Sequence, residues 1–418
     1  MSVLYPIGID IKDIINNNFN GNFGLWYNKF VPVNDINYKA SDNQGNSNNA
    51  VNYYKDKFAS LRVSLPGLLK QKHLSQIEFY KSFPSDQYEV IVIQAKTKSP
   101  LITGIGQPHP HEISMVFDYN LGIPYIPASS IKGVVRFATM LNLLNSGKIK
   151  NDKSMIKKDK KGNFYIEDDK IEEIAYYFGT QKEMGGVIFL DAYPLSVPEL
   201  HIDIINPHYK DYYENDKPPA DYLEPNPIKF LTVKPGTTFV FRTIVRKNKI
   251  YRNEKKERIE KKECDLTLKV KDTLVKALTE EGIGAKTSLG YGLFNEVKYE
   301  EDKNLEEEYK KLLKERERIE KEKIQRQKEE EEKRKLESMS EIERDIYNLS
   351  KLNSSPQDEQ KVFEIYNKLD KIESIEDKKK IANALMEYFK LCKKWDEKSV
   401  SNKQKEKVKK IKNILGIG

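Results

Sequence analysis

Between residues 282 and 292 the chain reads GIGAKTSLGYG, with Gly282, Gly284, Gly290 and Gly292 set around Lys286, Thr287 and Ser288. Glycine lets backbone N–H groups approach an anion closely, and a lysine with neighbouring hydroxyls is the usual complement of a phosphate-holding loop. Spacing excludes two nucleotide readings. A P-loop has glycine directly before its lysine, whereas Ala285 precedes Lys286, and a dinucleotide fingerprint needs a third glycine sooner than Gly290. Context excludes them as well, because such loops lead from a strand into a helix. Here the preceding "DLTLKVKDTLVKALTEE" puts Val270, Leu274, Ala277 and Leu278 on one helical face, and Gly282 fits the position that ends a helix. The following "LFNEVKY" alternates Leu293, Val297 and Tyr299 against Glu296 and Lys298, as a strand does. The order is helix, loop, strand, and no nucleotide cofactor is expected.

A second stretch, GIPYIPASSIKGVVR over residues 122–136, has the makings of an anion site. Pro124 and Pro127 hold the approach extended, and Ser129 or Ser130 is expected to cap the helix that follows. Lys132 then falls in the first turn, where a cation opposes the helix dipole. An anion at the helix N-terminus would account for it, with Arg136 one turn further on the same face. An ordinary capped helix with a solvated lysine is the alternative. Lys132 and Lys286 could both serve a nucleic-acid backbone, in contacts that position a strand without reading its sequence.

Other chemistry-bearing residues are more diffuse. The histidines are His73, His109, His111, His201 and His208, and "QPHPHE" brings His109 and His111 within two residues. No Cys or Glu cluster has zinc-like spacing, so no metal site is expected. A metal-independent ribonuclease could use His109 or His208 as general acid or base, although nothing singles one out. Asp191, Asp203 and Asp221 lie at strand ends or in loops, where carboxylates more often cap turns than catalyse. "PHYKDYYENDKPPADYLEPNPIKF" reads as one long ordered loop whose tyrosines suit base stacking or a protein contact equally.

The elements that must position these residues lie in residues 88–300. "YEVIVIQAKTK", "EISMVFD", "GVIFLDA", "TTFVFRTIVR" and the segment 291–299 read as strands, and "SSIKGVVRFATMLNLL" and 265–281 as helices. With "EISMVFD" set aside as an inserted hairpin element, the order is β-α-β-β-α-β, the ferredoxin-like plan that RRM domains share. The aromatic RNP1 run of an RRM is absent, so its base-stacking platform is not expected. Phe239, Phe241, Thr243 and Val245 alternate along one side of the longest later strand. The expected class is α+β: a ferredoxin-like core with insertions, preceded over residues 1–87 by a loop-rich and helical segment.

From about Asp302 the chain changes character. "NLEEEYKKLLKERERIEKEKIQRQKEEEEKRKLESM" is nearly all Glu, Lys and Arg, and its Leu305, Leu312, Ile319 heptad breaks at Arg326. A solvated single helix or a coiled-coil linker is expected over 301–340, then a small helical module over 341–418. With 38% hydrophobic and 33% charged residues the chain divides into a globular and a highly charged part. A net charge of +8 suits an anionic partner. Two cysteines, Cys264 and Cys392, are too few for a disulfide framework. The N-terminus lacks a signal-peptide pattern and no apolar run approaches the roughly 20 residues of a membrane span, so a cytoplasmic location is expected.

Taken together, "GIPYIPASSIKGVVR" and the distant "GIGAKTSLGYGLF" resemble the RAMP superfamily of CRISPR effector proteins. The intervening "FGTQKEMGGVIFLDAYP" and "LHIDIINPHYKDYYENDKPPADYLEPNPIKFLTV", with "GLWYNKF" upstream, are similar to the subfamily that forms the sixth subunit of type III-B Cmr complexes. The resemblance spans roughly residues 20–300. It implies a non-catalytic subunit that binds guide RNA (crRNA) near its 3′ end. Its implied neighbours are a related RAMP subunit and the backbone subunits, and it meets target RNA only through the guide. By residue match, Ser129, Ser130, Lys132 and Gly133 carry over from the first motif, and Gly282, Gly284, Lys286, Ser288, Gly290, Tyr291 and Gly292 from the second. Ala128 stands where the family usually has glycine. The alternatives are a RAMP-type endoribonuclease that processes guide precursors and an assembly scaffold acting through the C-terminal helices.

Overall fold

A computed structural model describes every residue except 1–2, 5–18, 112, 149–155, 159–163, 167–170, 181–182, 207–226, 253–257, 263–265, 353–355, 397–399 and 418. The chain divides into two compact units, Met1–Leu312 and Leu313–Gly418.

The first unit is built on an antiparallel sheet. The sheet and an adjoining hairpin supply β1 (Tyr88–Thr97), β2 (Val187–Phe189), β3 (Leu200–Ile205), β4 (Ile228–Val233), β5 (Thr238–Arg246) and β6 (Phe294–Lys298). β6, β1, β5 and β2 pair in that order, and Tyr193–Pro194 pairs with β5 beyond a break in β2, while β3 and β4 form a separate hairpin. β1 and β5 are joined along their whole length, Thr238 opposite Lys96 through Arg246 opposite Tyr88. The helices are α1 (Phe23–Lys29), α2 (Ala50–Leu61), α3 (Leu65–Lys81), α4 (Ala128–Asn145), α5 (Glu172–Phe178) and α6 (Leu266–Lys276). α4, a short hairpin (Ile156–Lys158 with Phe164–Ile166) and α5 thus lie between β1 and β2, and a second hairpin (Asn248–Arg252 with Arg258–Lys262) and α6 between β5 and β6.

β5 is buried on both faces, which explains why its apolar residues outnumber a simple alternation. Phe239, Phe241 and Val245 pack with Ile131, Val135 and Leu274 from α4 and α6. On the opposite face Ile244 meets Leu74, Ile77 and Tyr80 of α3, together with Leu305 and Tyr309. Leu305 and Tyr309 belong to the first turns of α7 (Lys303–Ser338), so the charged helix begins inside the core of the first unit.

That second face also encloses a charge. Arg242, in the middle of β5, and Glu301 have side chains 0% and 3% exposed and form a two-point pair at 2.7 and 2.8 Å. Arg242 Nη1 also donates to Gln76 Oε1 at 2.7 Å and lies 3.1 Å from His73 Nδ1. A guanidinium only donates, so His73 Nδ1 accepts there, and Nε2–H donates to the Pro194 carbonyl at 2.9 Å. Burial, then the Arg242 charge, holds the His73 pKa down at about 4.

Two expectations fail. "EISMVFD" is not a strand; Phe117 makes a lone bridge to Pro124. Its backbone is held bond by bond instead, Val116 N–H by the Thr103 carbonyl and Asp118 N–H by that of Ile123. The end of the expected long loop is β4, paired residue by residue with β3 from Leu200 opposite Val233 to Ile205 opposite Ile228. Residues 207–226, including His208 and Asp221, lie outside the described part.

In the second unit, α7 continues and is followed by α8 (Glu341–Lys351), α9 (Pro356–Lys368), α10 (Ile375–Leu391) and α11 (Asn402–Leu415). Leu349, Val362, Leu369, Ile381, Leu385, Phe389 and Ile411 form its core. Ser340 and Glu343 close a capping box at the start of α8, and Ser374 caps α10.

Candidate nucleic-acid interface

The two motifs that stand far apart in sequence meet in space. A cleft of about 580 Å³ is lined by Ser130, Val134 and Phe137 of α4 on one side and by Glu280, Glu281, Gly282, Gly284, Thr287 and Ser288 on the other. The sheet order puts them there: β1 and β5 are adjacent, and α4 and α6, which pack on the same face, lie side by side. Lys276 Nζ donates to Asn142 Oδ1 at 2.8 Å between them.

The α4 wall differs from the expected capping. Pro127 is the N-cap residue and the helix starts at Ala128, so Ser129 and Ser130 lie inside the first turn and neither caps it. The cap is remote: Asp191, at the break after β2, accepts from Ala128 N–H at 2.7 Å. The anion inferred at this helix end is therefore in part the protein's own carboxylate. Because the helix begins at Ala128, Lys132 lies past the first turn, where the dipole effect has fallen off. Lys132, Gly133 and Ser129 are exposed, Arg136 is half-buried, and none of the four lines the cleft. Gly133 has open space where a Cβ would stand.

The glycine loop is shaped by its own backbone. α6 widens into a π-helical turn, Ala277–Glu281, which ends at Gly282 with φ +79°. A Cβ on Gly284 would lie 2.4 Å from the Ile102 carbonyl oxygen, and one on Gly292 1.9 Å from that of Ile283. The loop's amides explain this closeness: Ala285 N–H bonds the Ile102 carbonyl, Ile283 N–H that of Gly292, and Gly292 N–H that of Pro100. Gly290 also has positive φ, but nothing crowds it. Ser288 is exposed at the tip.

Lys286 takes the left-handed conformation with φ +61°. Its ammonium lies over the Phe230 ring at 4.6 Å and the Tyr291 ring at 5.7 Å. Burial lowers its pKa, opposed by the Asp203 carboxylate. Tyr291 Oη donates to Asp203 Oδ2 at 2.6 Å, and burial followed by that bond lifts the phenol to about 12. Sequence reading missed this Lys286, Phe230, Tyr291, Asp203 cluster because it needs the β3–β4 hairpin; the aspartate within "LHIDII" was its visible trace.

Of the two histidine candidates, His208 lies outside the described residues and His109 is differently employed. His109 stacks on Tyr27 at 4.1 Å, its Nε2 lies 2.8 Å from the Tyr27 carbonyl, and its Nδ1 accepts from His111 N–H at 3.1 Å. Burial brings its pKa down to about 4. Both nitrogens are thus taken by backbone. Among the described residues no group of His, Cys, Asp and Glu has the arrangement of a metal site, and no helix is long and apolar enough to cross a membrane.

The RAMP superfamily model matches residues 94–295, which include both walls of the cleft. The chain is 30% identical over 336 residues to the CRISPR system Cmr subunit Cmr6 of Pyrococcus furiosus, covering 65% of this chain and 93% of that protein. It is 29% identical over 249 residues to CRISPR system CMR subunit Cmr6 of Saccharolobus solfataricus, covering 58% and 69%. The crystal structure of Cmr6 from Pyrococcus furiosus is 31% identical, with a TM-score of 0.29 over 51% of this chain and 99% of that one. A chain of the type III-B Cmr-beta complex bound to cognate target RNA is 23% identical, with a TM-score of 0.40 over 69% and 87%. The chain belongs to the RAMP superfamily and, within it, to the family of the Cmr6 subunits of CRISPR systems.

Proposed function

We propose that the protein is a non-catalytic crRNA-binding subunit of a type III-B Cmr ribonucleoprotein, in antiviral defence, that caps the guide near its 3′ end. The observation that carries this reading is the cleft in which the start of α4 and the glycine loop face each other. The β-α-β-β-α-β succession with strand order β6-β1-β5-β2 supports a ferredoxin-like core over residues 88–300. In that reading the described part of residues 1–87 buttresses the core, 301–340 are a linking helix and 341–418 an appended module. Ser130 and Ser288 inside the cleft offer hydroxyls to phosphates, and Ser129, Lys132 and Arg136 on the α4 surface beside it add a hydroxyl and two cations, with Gly133 leaving room for a backbone. Gly282, Gly284, Gly290 and Gly292 shape the loop, and Tyr291 and Phe230 hold Lys286. A related RAMP subunit and the backbone subunits are the partners, with target RNA met through the guide. A general acid or base role for His109 is disfavoured by the engagement of both its nitrogens with backbone.

Co-expression with genomic neighbours, purification on this chain and sequencing of bound RNA tests the reading. Repeat-spacer fragments with a common 5′ end and ragged 3′ ends are expected. Lys132→Glu with Lys286→Glu should lower RNA retention alike for all guide sequences. Guide content unchanged in that double variant removes the two lysines from the interface, and RNA-free complexes remove the proposal itself.

A further inference from the structure

Residues 375–418 hold thirteen lysines against six acidic residues, so +7 of the chain's net +8 lies in its last stretch. Residues 341–374 have the opposite balance, five basic against eight acidic. On α11 the lysines form two rows at three- and four-residue spacing: Lys403, Lys407 and Lys410 on one flank, Lys405, Lys409 and Lys412 on the other. The apolar seam between the rows, Val408 and Ile411, is fully buried. An amphipathic helix that has already spent its apolar face inside a bundle has none left for a lipid surface.

The rows border aromatic rings. Lys407 Nζ lies over Phe363 at 4.8 Å and Tyr366 at 5.4 Å, Lys410 over Tyr366 at 5.1 Å, and Lys412 over Trp395 at 5.8 Å. Phe363 is 49% exposed. Lysines interleaved with rings are the equipment of single-strand binding, in which phosphates meet cations and bases stack on aromatic faces. An acidic protein would use the lysines and leave the rings idle.

We propose that the face formed by α11, Phe363, Tyr366 and Trp395 is a second RNA-binding surface, taking single-stranded RNA by its backbone without sequence preference. A phosphate that draws an ammonium off its ring uncovers that ring for a base. Lys403, Lys405 and Lys409 form no ion pair among the described residues, so they are available to phosphate at no cost in internal pairing. The surface is independent of the role assigned to the cleft.

The test uses the full chain and a labelled single-stranded RNA of mixed sequence, with affinity measured by anisotropy across a KCl series. Replacing Lys403, Lys405 and Lys409 by Gln should reduce the slope of log K against log salt by about 2, at roughly 0.7 per lost phosphate contact, and weaken binding at low salt about 10- to 100-fold. The same three substitutions in a Lys132→Glu, Lys286→Glu background should remove the same slope, which separates this surface from the cleft. The chain's two tryptophans report separately: Trp26 is 1% exposed, so RNA-dependent quenching should come from Trp395 and vanish in Trp395→Phe. An unchanged slope in the triple variant overturns the proposal. Competition by polyglutamate as effective as that by RNA also overturns it, and points to an acidic protein.

Discussion

Replacing Glu301 by alanine removes the only carboxylate paired with Arg242 among the described residues and leaves a guanidinium in the core. Truncating one partner of a buried pair typically costs about 3–5 kcal/mol, mostly because the other charge stays desolvated. Gln76 Oε1 and His73 Nδ1 still accept from Nη1, whereas Nε and Nη2 lose their acceptors. The expected loss is therefore at the lower end, about 3 kcal/mol. In a unit spanning Met1–Leu312 that lowers the melting temperature by ~5 °C, from an unfolding entropy of roughly 2 cal/mol/K per residue. Differential scanning calorimetry and urea unfolding of the full chain check it. The double change Arg242→Met with Glu301→Leu should recover most of the loss, because an apolar replacement of a buried pair is close to neutral. A Glu301→Ala transition within about 1 kcal/mol of wild type would refute the reasoning, since it would mean Arg242 finds water or another acceptor. Truncations sharpen the point. A chain ending at residue 312 keeps Glu301, Leu305 and Tyr309, while one ending at 300 loses all three and should fold poorly.

Stability should also fall in mild acid. His73 and His109 have folded-state values of about 4, below their ordinary 6.5, so the unfolded chain binds more protons between those limits. Their contribution is complete above pH 6.5 and lost as pH falls towards 4, about 3 kcal/mol for a shift of this size at the fully buried His73. Unfolding midpoints measured from pH 7 to 4 should fall accordingly, and a flat profile would contradict the neutral, buried state of both rings. In the glycine loop, Gly290→Ala meets only the left-handed penalty of roughly 1–2 kcal/mol. Gly292→Ala adds a collision with the Ile283 carbonyl and should lower the melting temperature clearly further; equal effects would contradict the loop geometry.

How much of this was legible in the sequence differs from element to element. β1, β5 and the flanking helices announced themselves through local periodicity, because each buries a continuous face. "EISMVFD" carried the same alternation, yet its Met115 and Phe117 are buried without a neighbouring strand to pair with, and periodicity reports burial, not pairing. The β3–β4 hairpin was obscured because Leu200–Ile205 and Ile228–Val233 are separated by a Tyr- and Pro-rich segment far longer than the roughly two to five residues of a usual hairpin loop. The glycines were recognisable as a demand for close approach, but what approaches is the protein's own backbone at Ile102 and Ile283. The cap of α4 comes from Asp191, 63 residues from Ala128, beyond any local rule. Arg242 left one mark, a charge inside the otherwise apolar "FVFRTIV", whose partner 59 residues away no spacing rule identifies.

The placement of Glu301 and Tyr309 bears on how the protein is made. Translation delivers β5 with Arg242 well before it delivers the carboxylate that neutralises it, and the last side chains of that buried face arrive with the first turns of α7. A chain that stops short of Glu301 has α3 over that face but leaves Nε and Nη2 of Arg242 without their carboxylate. The first unit is thereby complete only in a chain that already includes the opening turns of the helix leading into the second. Release of a folded core without the beginning of its appendage is disfavoured by the wiring of a single ion pair.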